Sequence, residues 1–448
     1  MTFDFCQQWY PLAPVEDLDP TRPISVMLLG RRLVIWRPRF SEQYCVFLDR
    51  CPHRLAPLSE GRVDETTGQL MCSYHGWQFN EQGICTRVPQ AEKPELIDKQ
   101  PQHFCATALP CQQKNELLWV WPDKASADLA ASRSLPLSPQ LDASKGFVWS
   151  SFVRDLEYDW QTLIENVADP SHVPFAHHGI QGNRDRARPI AMEMVKSTKE
   201  WLEVNTLGHF QSKITFEPPC RLEYALDFGN NRKVGLITYC LPVAPGKSRI
   251  VGQFPRNFAN RWYQRFPRWF DHISNRNPVI DGDMILLHYQ ERNLQTAQKS
   301  EAWETAYKMP ANADRLVIEF RRWFDRYCQG QLPWPETADL AQVEPGIDRN
   351  SLQGELSQRR QLLDRYHQHT TICSSCRGAL KNIQRLQIGL LVYFVATLAV
   401  VAVLPESVRL PVGLPLTALA LLGLSLYGWL KYRLEPKFYF VDYIHANK

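Results

Sequence analysis

The motifs Cys51-Pro52-His53 and Cys72-Ser73-Tyr74-His75 each contain one cysteine and one histidine, and residues 54–71 separate them. One residue lies between the two metal-binding side chains of the first motif, and two lie between those of the second. A thiolate and an imidazole at such spacing can bind one metal group together. Gly76-Trp77 then allows the chain to turn tightly after the second motif. The two motifs therefore predict a metal site with four protein ligands.

Two metal groups fit these ligands. A single Zn²⁺ is bound tetrahedrally by two cysteines and two histidines in many proteins. A Rieske [2Fe-2S] cluster also takes two of each, with the cysteines on one iron and the histidines on the other. The C-x-H spacing is unusual for zinc, and both motifs mix a thiolate with an imidazole. These features favour the Rieske cluster, with Cys51, His53, Cys72 and His75 as its ligands.

A second group of metal-binding residues lies in Glu165–His177. Apolar residues recur there at helical spacing until Asp169-Pro170 interrupts the pattern. His172 and His177 follow, and on an ideal helix they would lie about 140° apart. Pro174 between them supplies a bend that lets both reach one metal. Two histidines and one carboxylate are the ligands of a mononuclear non-haem iron with open positions.

The carboxylate ligand is expected well downstream, in the segment Asp281-Gly282-Asp283 that precedes the apolar run Met284–Leu287. Either aspartate can be that ligand. The alternative role for both is that of a helix cap, because aspartate is common at helix N-termini. The spacing alone leaves the choice open.

Two charge-free runs near the C-terminus, 386–405 and 410–430, are each long enough to cross a bilayer as a helix. Basic residues lie outside both ends of the pair, at Lys381, Arg385, Lys431, Arg433 and Lys437. The sequence therefore predicts a transmembrane hairpin with both ends on the cytoplasmic or stromal side. A buried helical hairpin in a soluble core is the alternative.

Cys373-Ser374-Ser375-Cys376 precedes the first apolar run, and Arg377 follows it. A basic neighbour can lower a thiol pKa, so this C-x-x-C motif can form a reversible, redox-regulatory disulfide. Two unremarkable cysteines near a membrane are the plain alternative. Half of a zinc site is a third interpretation, but the sequence shows no partner pair for it.

Cys51-Pro52-His53-Arg54 and Cys72–Trp77 resemble the signature of Rieske non-haem iron oxygenases. Glu165–His177 also matches the pattern N-x-x-D-x-x-H-x-x-x-x-H of that family at every specified position. The resemblance implies that His172 and His177 bind the catalytic iron. It also implies that Asp169 bridges to a cluster histidine of a neighbouring subunit in a homotrimer. Asn166 is expected to orient a water or a ligand there.

The resemblance also implies the fold. It places the ligand aspartate just ahead of an apolar helix, which favours Asp283 over Asp281. The expected fold class is α+β, with a β-rich Rieske domain at 1–125 and a linker at 126–145. A helix-grip catalytic domain of antiparallel sheet and helices follows at 146–370. The C-x-x-C segment at 371–385, the hairpin at 386–430 and a tail at 431–448 complete the chain.

The C-x-x-C motif and the hairpin together resemble the pheophorbide a oxygenase group of that family. This resemblance implies a membrane enzyme that uses O₂ and ferredoxin-derived electrons to oxygenate an apolar ring, such as a chlorophyll-derived tetrapyrrole. It also implies thioredoxin and membrane lipid as partners, and a thylakoid or cyanobacterial membrane as the location. The start of the chain resembles neither a signal peptide nor a transit peptide, which favours a cyanobacterial relative or a trimmed form.

Two function classes compete with the oxygenase. One is a membrane-bound Rieske electron carrier or redox sensor, and the other is a translocon-associated regulatory protein without oxygenase turnover. The Asp169, His172 and His177 set argues against the first, because an electron carrier needs no second iron. A net charge of +4, spread along the chain, gives no basis for nucleic-acid binding.

Overall fold

The structure is a computed structural model, which describes residues 2–93, 99–208, 211–335 and 352–447. The described residues form two units. The first comprises those within 1–265 and 283–347, and the second comprises those within 266–282 and 348–448. The predicted boundary at 370 does not follow this division, since 266–282 and the described residues of 348–370 belong to the second unit.

The N-terminal part of the first unit is made of short antiparallel strands in three sheets, ordered β1-β11-β10, β2-β3-β4-β9 and β5-β6-β7-β8. Trp36, Phe47 and Phe79 are fully buried in a core that also contains Cys51 and Cys72. The prediction of a β-rich domain is confirmed. The strands are β1 Tyr10–Pro14, β2 Ile24–Leu28, β3 Arg31–Trp36, β4 Cys45–Leu48, β5 Arg62–Val63, β6 Leu70–Met71, β7 Gln78–Phe79, β8 Cys85–Arg87, β9 Ala108–Leu109, β10 Cys111–Lys114 and β11 Leu117–Val120.

The rest of the first unit is built on an antiparallel seven-stranded sheet, ordered β12-β18-β17-β16-β15-β14-β13. Its strands alternate buried and exposed residues where one face is covered. They are β12 Ser151–Leu156, β13 Ala191–Ser197, β14 Leu202–Leu207, β15 Ser212–Glu217, β16 Arg221–Asp227, β17 Lys233–Ala244 and β18 Lys247–Gln253.

Each of the two units also contains helices. The α-helices are α1 Ala127–Ser132, α2 Trp160–Ala168, α3 Val173–Ala176, α4 Asn260–Arg265, α5 Arg268–Asp271, α6 Asn277–Ala297, α7 Trp303–Ala306, α8 Arg315–Cys328, α9 Leu352–Leu362, α10 Ser374–Val403, α11 Glu406–Val408 and α12 Leu414–Trp429. Single π-helical turns lie at His272–Arg276, Tyr366–Thr370, Arg409–Gly413 and Leu430–Leu434.

Helix α8 covers the seven-stranded sheet through an aromatic cluster. The ring centroids of Phe320 and Trp323 lie 5.4 and 5.7 Å from that of Phe216 on β15. Trp160 of α2 contacts Phe320 at 5.6 Å, so α2 and α8 share this core. Such aromatic side chains bury large apolar areas and fix the two helices on the sheet. The sheet-plus-helix architecture predicted for the catalytic domain is confirmed.

The second unit contains the two long apolar helices. The ranges Ser374–Val403 and Glu406–Phe438 are long and apolar enough to cross a membrane. Only 11% of the most apolar window of each is buried, whereas a core helix of a soluble protein would be mostly buried. Val392, Val395 and Leu422 are exposed along them. This exposure argues against the soluble hairpin and agrees with helices that face lipid.

Candidate metal centres

Two loops of the same geometry carry the N-terminal Cys/His motifs. In each, the amide of the cysteine donates to the carbonyl five residues later, and the amide four residues later donates back to the cysteine carbonyl, at 2.8–2.9 Å. That fourth residue has a left-handed backbone, with φ of 60° at Leu55 and 72° at Gly76. Glycine adopts this conformation without steric cost. The repeated turn brings Cys51 and Cys72 together.

In this pair of loops, the two cysteine side chains lie together and the two histidine side chains lie together. Cys51 and Cys72 are buried, and their thiols are hydrogen-bonded to each other. The rings of His53 and His75 form a second pair, with centroids 4.4 Å apart. The hydrogen bond from Cys51 lowers the pKa of Cys72 to about 6, with backbone amides adding to the effect and burial opposing it. One pair of thiols and one pair of imidazoles fit the two irons of a Rieske cluster.

The histidine pair marks the outer edge of the cluster site. His53 is exposed and His75 is half-buried, while the two cysteines are 2% exposed. The ring of Trp77 stacks on His53 at 4.6 Å and 6° between planes. Imidazoles at the surface give an electron partner access that the buried thiolates do not.

The second site begins where α2 ends. Asp169 ends this helix and caps the following 3₁₀ turn Pro170–His172. One of its carboxylate oxygens accepts hydrogen bonds from the amide and the hydroxyl of Ser171, at 2.7 and 2.5 Å. Pro170 at the first position of the turn lacks the amide that the turn would leave unpaired. The predicted helix break thus places His172 and α3 beside the end of α2.

His172, His177 and Asp283 lie together in the first unit. The Nε2 atoms of the two histidines are 3.1 Å apart. The carboxylate oxygens of Asp283 lie 3.9 Å from Nε2 of His172 and 3.4 Å from Nε2 of His177. His177 and Asp283 are buried, but the side chain of His172 remains 22% exposed. Two imidazoles and one carboxylate fit a non-haem iron that keeps open positions.

The orientation of His172 follows from its outer nitrogen. Nδ1 lies 2.5 Å from the carbonyl oxygen of Asp169, so it carries the proton and donates it there. Nε2 is then the unprotonated nitrogen and faces the other two ligands. Such an outer hydrogen bond fixes the tautomer of a metal-binding histidine.

Asp281, His178 and Asn166, which lie close to these residues in the sequence, have different contacts. Asp281 accepts hydrogen bonds from Nε and Nη2 of Arg365 at 2.7 and 2.5 Å, and both side chains are buried. His178 accepts a hydrogen bond from the amide of Arg184 through Nδ1, at 3.1 Å. Asn166 is half-buried, and its carbonyl accepts the amide of Asp169 at 3.2 Å. The structure brings Asp283, rather than Asp281 or His178, to the two predicted iron ligands.

A third group of donor atoms was not visible in the sequence. His272, His369, Cys373 and Cys376 of the second unit are all buried, and their donor atoms lie within 4.8 Å of one another. The C-x-x-C motif therefore has the partner pair that the sequence did not show. His369 lies one helical turn before Cys373, which is a weak local signal. His272 lies about a hundred residues away, and only the tertiary fold brings it there.

Comparisons with known proteins agree with this arrangement. Residues 8–110 match the Rieske [2Fe-2S] domain, and residues 216–301 match the pheophorbide a oxygenase domain. The chain is 38% identical to pheophorbide a oxygenase of Oryza sativa subsp. japonica, over 99% of its own length and 85% of that protein. It is 32% identical to protochlorophyllide-dependent translocon component 52 of Arabidopsis thaliana, over 99% and 86%.

Solved structures support the fold. Dicamba monooxygenase bound to dicamba matches with a TM-score of 0.59 and 17% identity, over 73% of this chain and 98% of that one. NdmA of Pseudomonas putida CBB5 matches with a TM-score of 0.55 and 21% identity, over 71% and 89%. The match to the Rieske [2Fe-2S] domain and the length-wide identity favour the Rieske cluster over zinc at Cys51, His53, Cys72 and His75. The chain belongs to the pheophorbide a oxygenase family and is a Rieske non-haem iron oxygenase with a [2Fe-2S] cluster and a mononuclear iron.

Proposed function

We propose that this enzyme oxygenates a chlorophyll-derived tetrapyrrole of the pheophorbide type. The observation that carries the proposal is identity over almost the whole chain to proteins named pheophorbide a oxygenase, 38% and 37% for two plant relatives. The gathered His172, His177 and Asp283 supply the ligands that such a reaction needs. The two apolar helices add a reason for the substrate class, because an amphipathic pigment partitions into membranes.

The bound metal groups supply O₂ activation and the electrons for it. The residues of this chain hold and shape that centre. His172, His177 and Asp283 are the proposed iron ligands, and three ligands leave positions free for O₂. The side chain of His172 is 22% exposed, whereas His177 and Asp283 are buried.

Asp169 is proposed as the bridging carboxylate in a homotrimer. Its carbonyl already accepts the Nδ1 proton of His172, and its side chain is 25% exposed. Ser171 occupies one carboxylate oxygen, so the second can accept an N–H from a cluster histidine of a neighbouring subunit. The exposed position of His53 on its own domain is compatible with such a contact. Asn166 is proposed to orient a water or a ligand nearby.

The proposed location is a photosynthetic membrane, in a chloroplast or a cyanobacterium. The plant relatives are named as chloroplastic proteins. Basic residues lie before the apolar part of α10 and after α12. This distribution favours both ends of the hairpin on the same side of the membrane, cytoplasmic or stromal. Lipid would then contact the exposed apolar faces, and a ferredoxin-type protein would reduce the cluster from the aqueous side. Thioredoxin is a proposed partner of Cys373 and Cys376 in a chain where these residues have been oxidised; they form no disulfide in this structure.

Turnover of the purified full chain in detergent tests the proposal. The enzyme would be reduced with ferredoxin without oxygen, offered one pigment, and then mixed with isotopically labelled O₂. The panel is pheophorbide a, chlorophyllide a, protochlorophyllide and a flavone, with products followed by mass. We expect labelled product from a tetrapyrrole, with pheophorbide a turned over fastest. Labelled flavone and no labelled tetrapyrrole would overturn the substrate class and leave the oxygenase standing.

A regulatory role without turnover is a second candidate, because one length-wide relative is named as a translocon component. It predicts that the reduced chain consumes no O₂ with any member of the panel. Iron analysis also distinguishes an oxygenase from a pure electron carrier. An oxygenase should contain about three iron atoms per chain, and a carrier about two.

A further inference from the structure

The second unit contains four metal-binding side chains that oxygenase chemistry does not use: His272, His369, Cys373 and Cys376. Their exposed fractions are 0–1%, so no water surrounds them. They lie against the apolar side chains of Ile273, Leu380 and Phe438. Thiols and imidazoles buried in an apolar core are costly unless they have partners. The cluster therefore requires an explanation.

The distances within the cluster are those of a tetrahedral metal site. Nδ1 of His272 lies 3.6 Å from Sγ of Cys373 and 3.6 Å from Sγ of Cys376. Nε2 of His369 lies 3.3 Å from Sγ of Cys376. Zinc bonds of about 2.3 Å to sulfur and about 2.0–2.1 Å to nitrogen, at tetrahedral angles, hold sulfur and nitrogen about 3.5 Å apart. One ion would thus replace the hydrogen bonds among these side chains with four metal–ligand bonds.

The local backbone fixes three of the four ligands. Cys373 is the N-cap of α10, and Cys376 lies in its first turn. His369 lies in the π-helical turn Tyr366–Thr370, and its carbonyl accepts the amide of Cys373 at 2.8 Å. One short stretch of chain thus holds these three proposed ligands close together. His272, the first residue of another π-helical turn, is the fourth and comes from a distant segment.

The four side chains are linked to one another. The side chain of Cys373 forms hydrogen bonds with those of Cys376, His272 and His369. Thiolate and neutral imidazole are the forms in which these side chains bind metals.

We propose that His272, His369, Cys373 and Cys376 bind one structural zinc ion. Four protein ligands without an open position are typical of structural rather than catalytic zinc. A second [2Fe-2S] cluster does not fit, because it would separate sulfurs from nitrogens on two irons. Here Nδ1 of His272 is instead equally far from both sulfurs.

The ion would be a cross-link within the second unit. Cys373 and His272 are 101 positions apart in the chain, so the bond closes a long loop. The buried Asp281–Arg365 ion pair joins the same two stretches of chain. Removing the ion should therefore loosen the attachment of 266–282 to the base of α10, without removing any ligand of the Rieske cluster.

Metal analysis of the full chain tests the proposal. The protein would be purified in detergent under reducing, oxygen-free conditions, and zinc and iron would be counted by mass spectrometry. We expect about one zinc per chain beside the iron. His272→Ala and Cys376→Ser should each lower bound zinc at least about tenfold, with the Rieske electron paramagnetic resonance signal unchanged. Cys328→Ser, a partly buried cysteine outside the cluster, is the matched control and should retain zinc.

Cobalt keeps the test decisive if a variant does not fold. The wild-type chain grown with Co²⁺ should show thiolate-to-cobalt charge-transfer bands and the visible bands of tetrahedral cobalt. Wild-type chain with no zinc and no such bands would overturn the proposal, as would a Cys373–Cys376 disulfide in the reduced preparation. A fourth iron in place of zinc would overturn the identity of the ion. Full zinc in His272→Ala would overturn the ligand set.

Discussion

The iron site in the first unit and the Cys/His site in the second both bring distant residues together, but they differ in number of ligands and in access. His172, His177 and Asp283 are the three proposed iron ligands, and His172 is partly exposed. The other site has four proposed ligands, each almost fully buried. An incomplete, accessible ligand set suits a reaction, while a complete and enclosed set suits a cross-link. Histidine serves both, so its surroundings decide the role.

Local backbone structure produces the difference. At the iron site, Asp169 and Pro170 separate helix α2 from helix α3. His172 lies in the 3₁₀ turn between these helices, and His177 follows the short helix α3. At the Cys/His site, three ligands come from a continuous stretch that leads into the 30-residue helix α10. Where the helix is interrupted, the side chain of His172 stays 22% exposed. Where the chain is continuous and packed in an apolar core, each proposed ligand is at most 1% exposed.

Loss of the carboxylate ligand is the largest effect we expect. Asp283→Ala should remove the mononuclear iron and lower turnover by more than about 100-fold, since even outer-sphere partners of metal ligands contribute about 10–100-fold. Iron per chain should fall by about one, with the Rieske signal unchanged. Iron counting, electron paramagnetic resonance and turnover measure this. A variant that keeps its iron and turnover would remove Asp283 from the site and break the comparison.

The sequence predicted the open site better than the enclosed one, for a physical reason. Asp169, His172 and His177 lie in one short segment, so spacing alone predicts their proximity. Asp281 and Asp283 were indistinguishable by spacing, because the burial of Asp281 against Arg365 depends on tertiary packing.

The enclosed site shows the same limit more strongly. The C-x-x-C motif was visible, but His272 reaches it only through the fold of the second unit. The β-rich domain and the helix-on-sheet domain were expected from the resemblance to Rieske oxygenases. The apolar run Met284–Leu287, for instance, lies within the helix α6, Asn277–Ala297.

The next prediction concerns Asp169, the proposed bridging carboxylate beside the iron site. Asp169→Asn should keep the cap on Ser171, because asparagine is an equally good N-cap, but it removes the negative charge. We expect unchanged iron content and turnover lowered about 10–100-fold. Ser171→Ala is the control that weakens the cap without touching the charge, and it should retain most turnover. Equal losses in both variants would show that Asp169 acts only as a cap.

A stability effect should follow from the aspartate two residues before Asp283. Asp281→Ala leaves Arg365 as an unpaired buried charge, which costs about 3–5 kcal/mol. Both side chains are at most 2% exposed, so solvent does not screen the pair. Asp442→Ala breaks the more exposed pair with Arg359 and should cost at most about 1 kcal/mol. Denaturant unfolding in detergent measures both. Iron loss in Asp281→Ala at temperatures where the chain stays folded would contradict the division of roles between the two aspartates.

The smallest effect concerns the start of α2, the helix that leads into the open site. Burial, and then the neighbouring Glu291, raises the pKa of Asp159 from 3.8 to about 7. The folded chain therefore binds more protons than the unfolded chain between these values, and the free energy of unfolding falls as pH rises toward 7. Asp159→Asn keeps a side-chain oxygen to cap α2, as Asp159 now does for the amide of Trp160.

Because asparagine does not titrate, Asp159→Asn should stabilise the chain by about 1–3 kcal/mol at pH 8 and by much less at pH 4. Unfolding at the two pH values measures this. Asp142→Asn is the control, since Asp142 caps a 3₁₀ turn in the same way but is only half-buried, with a pKa that hydrogen bonds from Ser144 and Lys145 lower. That variant should show no gain at pH 8. An equal gain from Asp159→Asn at both pH values would mean that the substitution acts through packing or capping. Asp159 would then carry no buried charge in the folded chain at pH 8.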